Sequence, residues 1–142
     1  MGNLEQALEY ILKSLSTGRE INSWVTEAYT LNTLGTIYDE LGDYGNALDY
    51  YHQSLVIRRQ AGDKWGEAGS LDNIGNIYLK QGITSMQLNF FQQSLSMSRS
   101  VEDKKGEANV LFHLAKIEYL QNNHSAAFER AQQTPANKGT DS

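Results

Sequence analysis

The sequence predicts an all-α fold built as a solenoid of antiparallel helix pairs, and three observations carry that prediction. Residues recur at a fixed spacing of 40, apolar residues step by three and four within each period, and the single proline is Pro135. Leu34-Gly35 returns as Ile74-Gly75 and Leu114-Ala115, and Glu27-Ala28 returns as Glu67-Ala68 and Glu107-Ala108. Leu31, Leu71 and Leu111 share a register, as do Ile37, Ile77 and Ile117. No insertion is needed anywhere, and a fixed period along a chain is the mark of units that stack. Ahead of Pro135 nothing removes a backbone donor from a helix.

Each period divides into two helical segments. In the first, Ala28, Leu31, Leu34, Gly35, Tyr38 and Leu41 fall on one face at helical spacing. Ser23, Asp63 and Asp103 stand just before the three such segments, and all are good N-caps. Gly42 suits the left-handed position that ends a helix, and Asp43 can cap the next one. There Ala47, Leu48, Tyr51, Ser54 and Leu55 form the buried stripe. Helices of roughly 16–18 residues joined by such short turns must pack antiparallel.

The units are uneven. Residues 2–17 match only a second helix, with Gly2, Ala7, Leu8, Tyr10, Ser14 and Leu15 in register with Gly42, Ala47, Leu48, Tyr50, Ser54 and Leu55. The chain is therefore expected to be part of a longer array. Full repeats are expected at 23–62, 63–102 and 103–134, giving a repeat domain over 1–134. The last helix should follow Asn122-Asn123, contain Ala126, Ala127, Phe128 and Ala131, and stop before Pro135. Residues 135–142 are small and polar, and a disordered tail is expected. Position 87 breaks the pattern: Gln87 stands where Ala7, Ala47 and Ala127 occur, at a point of close helix approach.

A small residue and then an aromatic in each helix resembles the tetratricopeptide repeat. Leu34-Gly35, Tyr38, Ala47, Tyr51 and Ser54 carry the match in one unit; Ile74-Gly75, Tyr78, Phe91 and Ser94 carry it in the next. The 40-residue period is similar to the longer-helix variants of Leu-Gly-Asn repeat proteins, kinesin light chains and bacterial signalling proteins. Ile74-Gly75-Asn76 is close to the Leu-Gly-Asn signature. The resemblance implies a right-handed α-solenoid and a protein-interaction module, a scaffold or adaptor, while the absence of cysteine and of a basic-then-apolar signal at Met1-Gly2-Asn3-Leu4-Glu5 fits a cytoplasmic protein. A peptide-sensing regulatory domain of a bacterial signalling protein is the alternative it leaves open.

The composition narrows the partner. A formal net charge of −5 with scattered Lys and Arg does not make a phosphate-binding surface, so nucleic acid is not expected. No run approaches the ~20 apolar residues of a membrane span. Cysteine is absent, which removes disulfides, thiolate chemistry and Cys-ligated metals. His52, His113 and His124 are far apart and form no H-E-x-x-H pattern. Asp39-Glu40 with Asp43 lacks the ligand spacing of an EF-hand, and Gly62-Asp63-Lys64-Trp65-Gly66 lacks that of a phosphate loop. No enzyme, metal or cofactor is expected.

The resemblance places the peptide site in a concave groove lined by the first helix of each pair. The residues outside the packing stripe there include Tyr29, Asn32 and Thr36, then Asn73 and Asn76, then Asn109, Phe112, His113 and Lys116. Asn, Thr and His both donate and accept, which suits an extended peptide backbone. Tyr29, Phe112 and Tyr119 are expected as exposed aromatics with no packing duty. The clamp that related chaperone-tail binders use for a C-terminal carboxylate has Lys then Asn in the first unit and Lys then Arg in the third, where this chain has Asn32 and Thr36, then Asn109 and His113; only Asn73 matches. Residues 2–17 have no preceding helix in this chain, so association through uncapped ends, as a weak homodimer, is also expected.

Overall fold

The computed structural model describes residues 2–121 and 124–133. Its helices are α1 (Gly2–Glu20), α2 (Trp24–Glu40), α3 (Tyr44–Gln60), α4 (Lys64–Gln81), α5 (Thr84–Ser100), α6 (Lys104–Leu120) and α7 (His124–Gln132). Among the described residues there is no strand. The chain divides into two compact units, Met1–Ser70 and Leu71–Ser142, with the boundary inside α4. Asn122-Asn123, the side chains of Ala126 and Ala127, Pro135 and the expected tail lie outside the described residues.

The turns repeat with half the period. Positive φ occurs at Asn22, Gly42, Gly62, Gly82 and Glu102, a spacing of 20. At each, the residue that follows sends its N–H back to a carbonyl in the last turn of the preceding helix. Asp43 reaches Tyr38 at 2.9 Å, Ile83 reaches Tyr78 at 3.0 Å and Asp103 reaches Ser98 at 2.8 Å. This closure satisfies carbonyls that a helix end would leave bare; glycine meets it without Cβ strain, and asparagine is the side chain that tolerates it best. Glu102, at φ 57°, takes that conformation with a full side chain. The expected caps are in place. Ser23 Oγ accepts from Thr26 N–H, Asp43 from Asn46, Asp63 from Gly66 and Asp103 from Gly106.

Within the first unit, Leu15, Leu31 and Leu34 form the core, with Leu8, Ile11, Tyr50 and Ile57 packed against it. Contacts between α2 and α3 run antiparallel. Tyr38 stacks on Tyr50 at 5.5 Å, Gly35 faces the Tyr51 ring, and Ser54 Oγ donates to the Ala28 carbonyl at 2.8 Å. That last bond explains how a serine sits fully buried in an apolar stripe. A Cβ on Gly35 would lie 2.6 Å from the Tyr51 ring, so the glycine sets the helix separation. Leu41 departs from expectation: it is exposed, because the helix ends there and Leu41 serves as C-cap rather than as part of the stripe. On α1, Leu15 is buried, whereas Leu4, Tyr10 and Leu12 are exposed.

Within the second unit, Phe91, Val110, Leu114 and Ile117 are the core, with Leu79, Leu88 and Leu95 against them. The α2–α3 geometry recurs: Tyr78 stacks on Phe90 at 5.5 Å, and a Cβ on Gly75 would meet the Phe91 ring at 2.7 Å. Arg130 of α7 pairs with Glu118 of α6. Gln87 does not push out to the edge. It is buried, and its Oε1 has no hydrogen-bond partner.

Candidate interaction face of α4 and α6

The sequence-selected residues of the second unit lie on α4 and α6. Asn73 and Asn76 are half-buried on α4; Asn109, Phe112 and Lys116 are exposed on α6. Between them, His113 Nδ1 lies 3.0 Å from Asp72 Oδ1, a bond that ties α6 to α4. The His113 ring stacks on Phe91 at 5.0 Å and 21°, and Phe112 is tilted against it at 6.1 Å. The core aromatic thus fixes the imidazole plane, and Asp72 fixes its rotation. His113 is therefore already engaged within the protein through one ring nitrogen. Phe112 keeps 62% of its surface exposed. An apolar ring beside amides and an oriented imidazole offers both surface to bury and groups to hydrogen-bond.

In the first unit the corresponding positions are Tyr29, Asn32 and Thr36 on α2. Tyr29 is 70% exposed. Thr36 Oγ1 bonds the Asn32 carbonyl at 3.2 Å and lies 3.2 Å from the Tyr51 hydroxyl. Burial raises the Tyr51 pKa, against the smaller opposing effect of the Thr36 hydrogen bond. Thr36 thus closes off a core tyrosine while remaining on the outer side of its helix. Tyr119 of α6 is exposed as expected. Among the described residues no group of three or more His, Asp or Glu side chains is placed to hold a metal. None of the helices described there is long and apolar enough to cross a membrane.

The tetratricopeptide repeat model matches residues 1–60 and 26–99. The chain belongs to the tetratricopeptide repeat family. The repeat it carries is that of a protein–protein interaction module. Its fold is all-α, a helical repeat array. Among solved structures it is similar to BtubC (BKLC) from P. vanneervenii, at 17% identity and a TM-score of 0.82, covering 99% of this chain and 60% of that one. It is also similar to the apo form of RapI, at 19% identity and a TM-score of 0.68, covering 92% of this chain and 60% of that one. The chain thus spans about 60% of the length of either structure. No curated protein matches it in sequence.

One repeated feature of this tetratricopeptide chain went unread in its sequence. Arg19, Arg59 and Arg99 pair with Glu27, Glu67 and Glu107 at 3.1, 2.7 and 2.9 Å, each tying a second helix to the next first helix. The signal was available, because both partners recur at 40. The Arg99 hydrogen bond holds the Glu107 carboxyl below its ordinary value, with Lys104 adding to the effect. Each arginine is about half exposed, so each pair contributes at most about 1 kcal/mol.

Proposed function

We propose that this repeat chain binds an extended segment of a partner protein on the α4–α6 face, with Asn73, Asn76, Asn109, Phe112, His113 and Lys116 in contact. The observation that supports it best is Phe112, an exposed ring set beside the Asp72–His113 pair. An exposed aromatic gains from burial by a ligand, and the adjacent amides can pair with a peptide backbone. Tyr29, Asn32 and Thr36 are assigned a separate contact of the same kind within the first unit. The test begins with a peptide selected from a random library on the intact chain. Asn73→Ala and Phe112→Ala should each weaken its binding by about 1–2 kcal/mol. Affinities equal to that of the parent chain would remove this face.

The same proposal includes weak self-association through α1. Ala47, Tyr51 and Ser54 are buried on α3, whereas Ala7, Ile11 and Ser14 at the same register on α1 are not. With Leu4, Tyr10 and Leu12 also exposed, apolar surface is left that a second copy would cover. Sedimentation should show a dimer at high concentration that Tyr10→Ser with Leu12→Ser abolishes. A strict monomer would end this part of the reading.

A further inference from the structure

The bond between α4 and α6 has a direction, and the direction decides what can approach it. His113 Nδ1 and Asp72 Oδ1 lie 3.0 Å apart, with 23% and 22% of the two side chains exposed. An ionised carboxylate only accepts, so the proton in this bond belongs to Nδ1. A neutral imidazole carries one N–H, which leaves Nε2 as a bare acceptor. The ring is held in place, because one face stacks on Phe91 at 5.0 Å and 21° while Asp72 holds the Nδ1 edge. Among the described residues Nε2 has no protein partner, and it is not one of the unpartnered side-chain atoms closed to solvent. Phe112, 62% exposed, is tilted against the same ring, so a fixed acceptor stands beside an apolar surface. The preceding repeat has Asn32 and Asn73 at these two positions. An amide carries donor and acceptor together, so only the Asp72–His113 version has a defined polarity.

We infer that His113 Nε2 accepts a backbone N–H of the bound segment, and that Asp72 is the positioning residue that keeps it an acceptor. The inference rests on the α4–α6 reading and names what that face requires of its partner. An extended segment turns an N–H to the same side at every second residue, so one can meet Nε2 while a flanking side chain covers Phe112. Proline, which has no N–H, is excluded at that one position of the segment. The hydrogen bond at one ring nitrogen fixes what the other can do. Without Asp72 the ring is free to carry its proton on Nε2, and the acceptor becomes a donor.

Two measurements test it, both on the intact chain at about pH 8.5, well above the ordinary imidazole range. Ring-nitrogen chemical shifts of the isotope-labelled protein read the tautomer directly, with no ligand present. The parent chain should carry the His113 proton on Nδ1, and Asp72→Ala should move a large part of it to Nε2. A proton on Nε2 in the parent, or an unchanged tautomer in Asp72→Ala, would overturn the inference. The second probe is the library-selected peptide with single amides replaced by esters, which removes one N–H at a time without adding bulk. One such ester should weaken binding about fivefold, the loss of one neutral hydrogen bond. His113→Phe, which keeps a ring on Phe91 but offers no acceptor, should bind the amide and that ester equally. No sensitive position, or a sensitivity that survives His113→Phe, also overturns the inference. Backbone amide shifts on peptide binding separate the two readings. A face that responds without a His113-dependent ester effect sinks the acceptor alone, and a face that does not respond sinks both.

Discussion

The α2–α3 pair and the α4–α5 pair are two copies of one design, and their differences are more informative than their likeness. In both, a glycine faces the ring of a buried aromatic, Gly35 on Tyr51 and Gly75 on Phe91, and a second aromatic pair stacks at 5.5 Å. In the first copy the buried ring ends in a hydroxyl that Thr36 meets, so the core closes on itself. In the second the ring has no hydroxyl, and the His113 imidazole lies on it, held by Asp72. Two further positions change in the same copy: Asp43 becomes Ile83 at the cap, and Ala47 becomes Gln87 in the core. The α4–α5 copy has given up a cap and a clean core position, and it borders the face proposed for binding.

The strongest test of the shared part is to add a methyl group at each glycine. Gly35→Ala and Gly75→Ala both put a Cβ within 2.7 Å of a ring. Each should lower the unfolding free energy by about 1–3 kcal/mol, read by chemical denaturation. If only one copy responds, the two helix separations are not set in the same way. The caps test the difference. Asp43→Ala should cost about 1 kcal/mol, and Ile83→Asp should contribute a similar amount in the opposite direction. A neutral Ile83→Asp would mean that the first turn of α5 is already satisfied.

Gln87→Ala should be neutral or stabilising by up to about 1 kcal/mol, through lost crowding, better helix propensity and removal of an unmet acceptor. A clear drop in the denaturation midpoint would show a hydrogen bond that the structure does not contain.

The repeats were legible in the sequence because burial acts on the same side chains in each copy. Small residues at Gly35 and Gly75, and aromatics at Tyr51 and Phe91, have to recur if the same helix separation is to recur. Caps and turns were legible for a similar reason, since positive φ every 20 residues favours glycine or asparagine. Leu41 shares the periodicity of the stripe yet lies outside it, because periodicity alone does not say where a helix stops. The face was only partly legible. Solvent-facing positions carry no packing constraint, so Tyr29, Asn32, Thr36, Asn76 and Lys116 stood out only by exclusion. The Asp72–His113 pair was hidden by its spacing of 41, one step off the repeat, so a comparison at 40 aligns neither residue with its partner.

The smallest expected effect concerns pH. Burial, and then the nearby Arg59, lower the His52 pKa below its ordinary 6.5 in the first copy. A depressed folded pKa gives stability that is complete above the unfolded value and lost as pH falls toward the folded one. Denaturation midpoints should therefore begin to decline below about pH 6.5, and His52→Gln should flatten that part of the curve. Below about pH 4.5 the lowered Glu107 pKa adds a second decline of the same sign, absent in Glu107→Gln.

The α4–α6 face is the proposed meeting point of this tetratricopeptide chain with its partner. Amide chemical shifts of the labelled protein, followed as a library-selected peptide is added, test it most directly. Shifts should concentrate at Asp72, Asn73, Asn76, Asn109, Phe112, His113 and Lys116. Shifts confined to α3 and α5, with those residues unmoved at saturation, would contradict it.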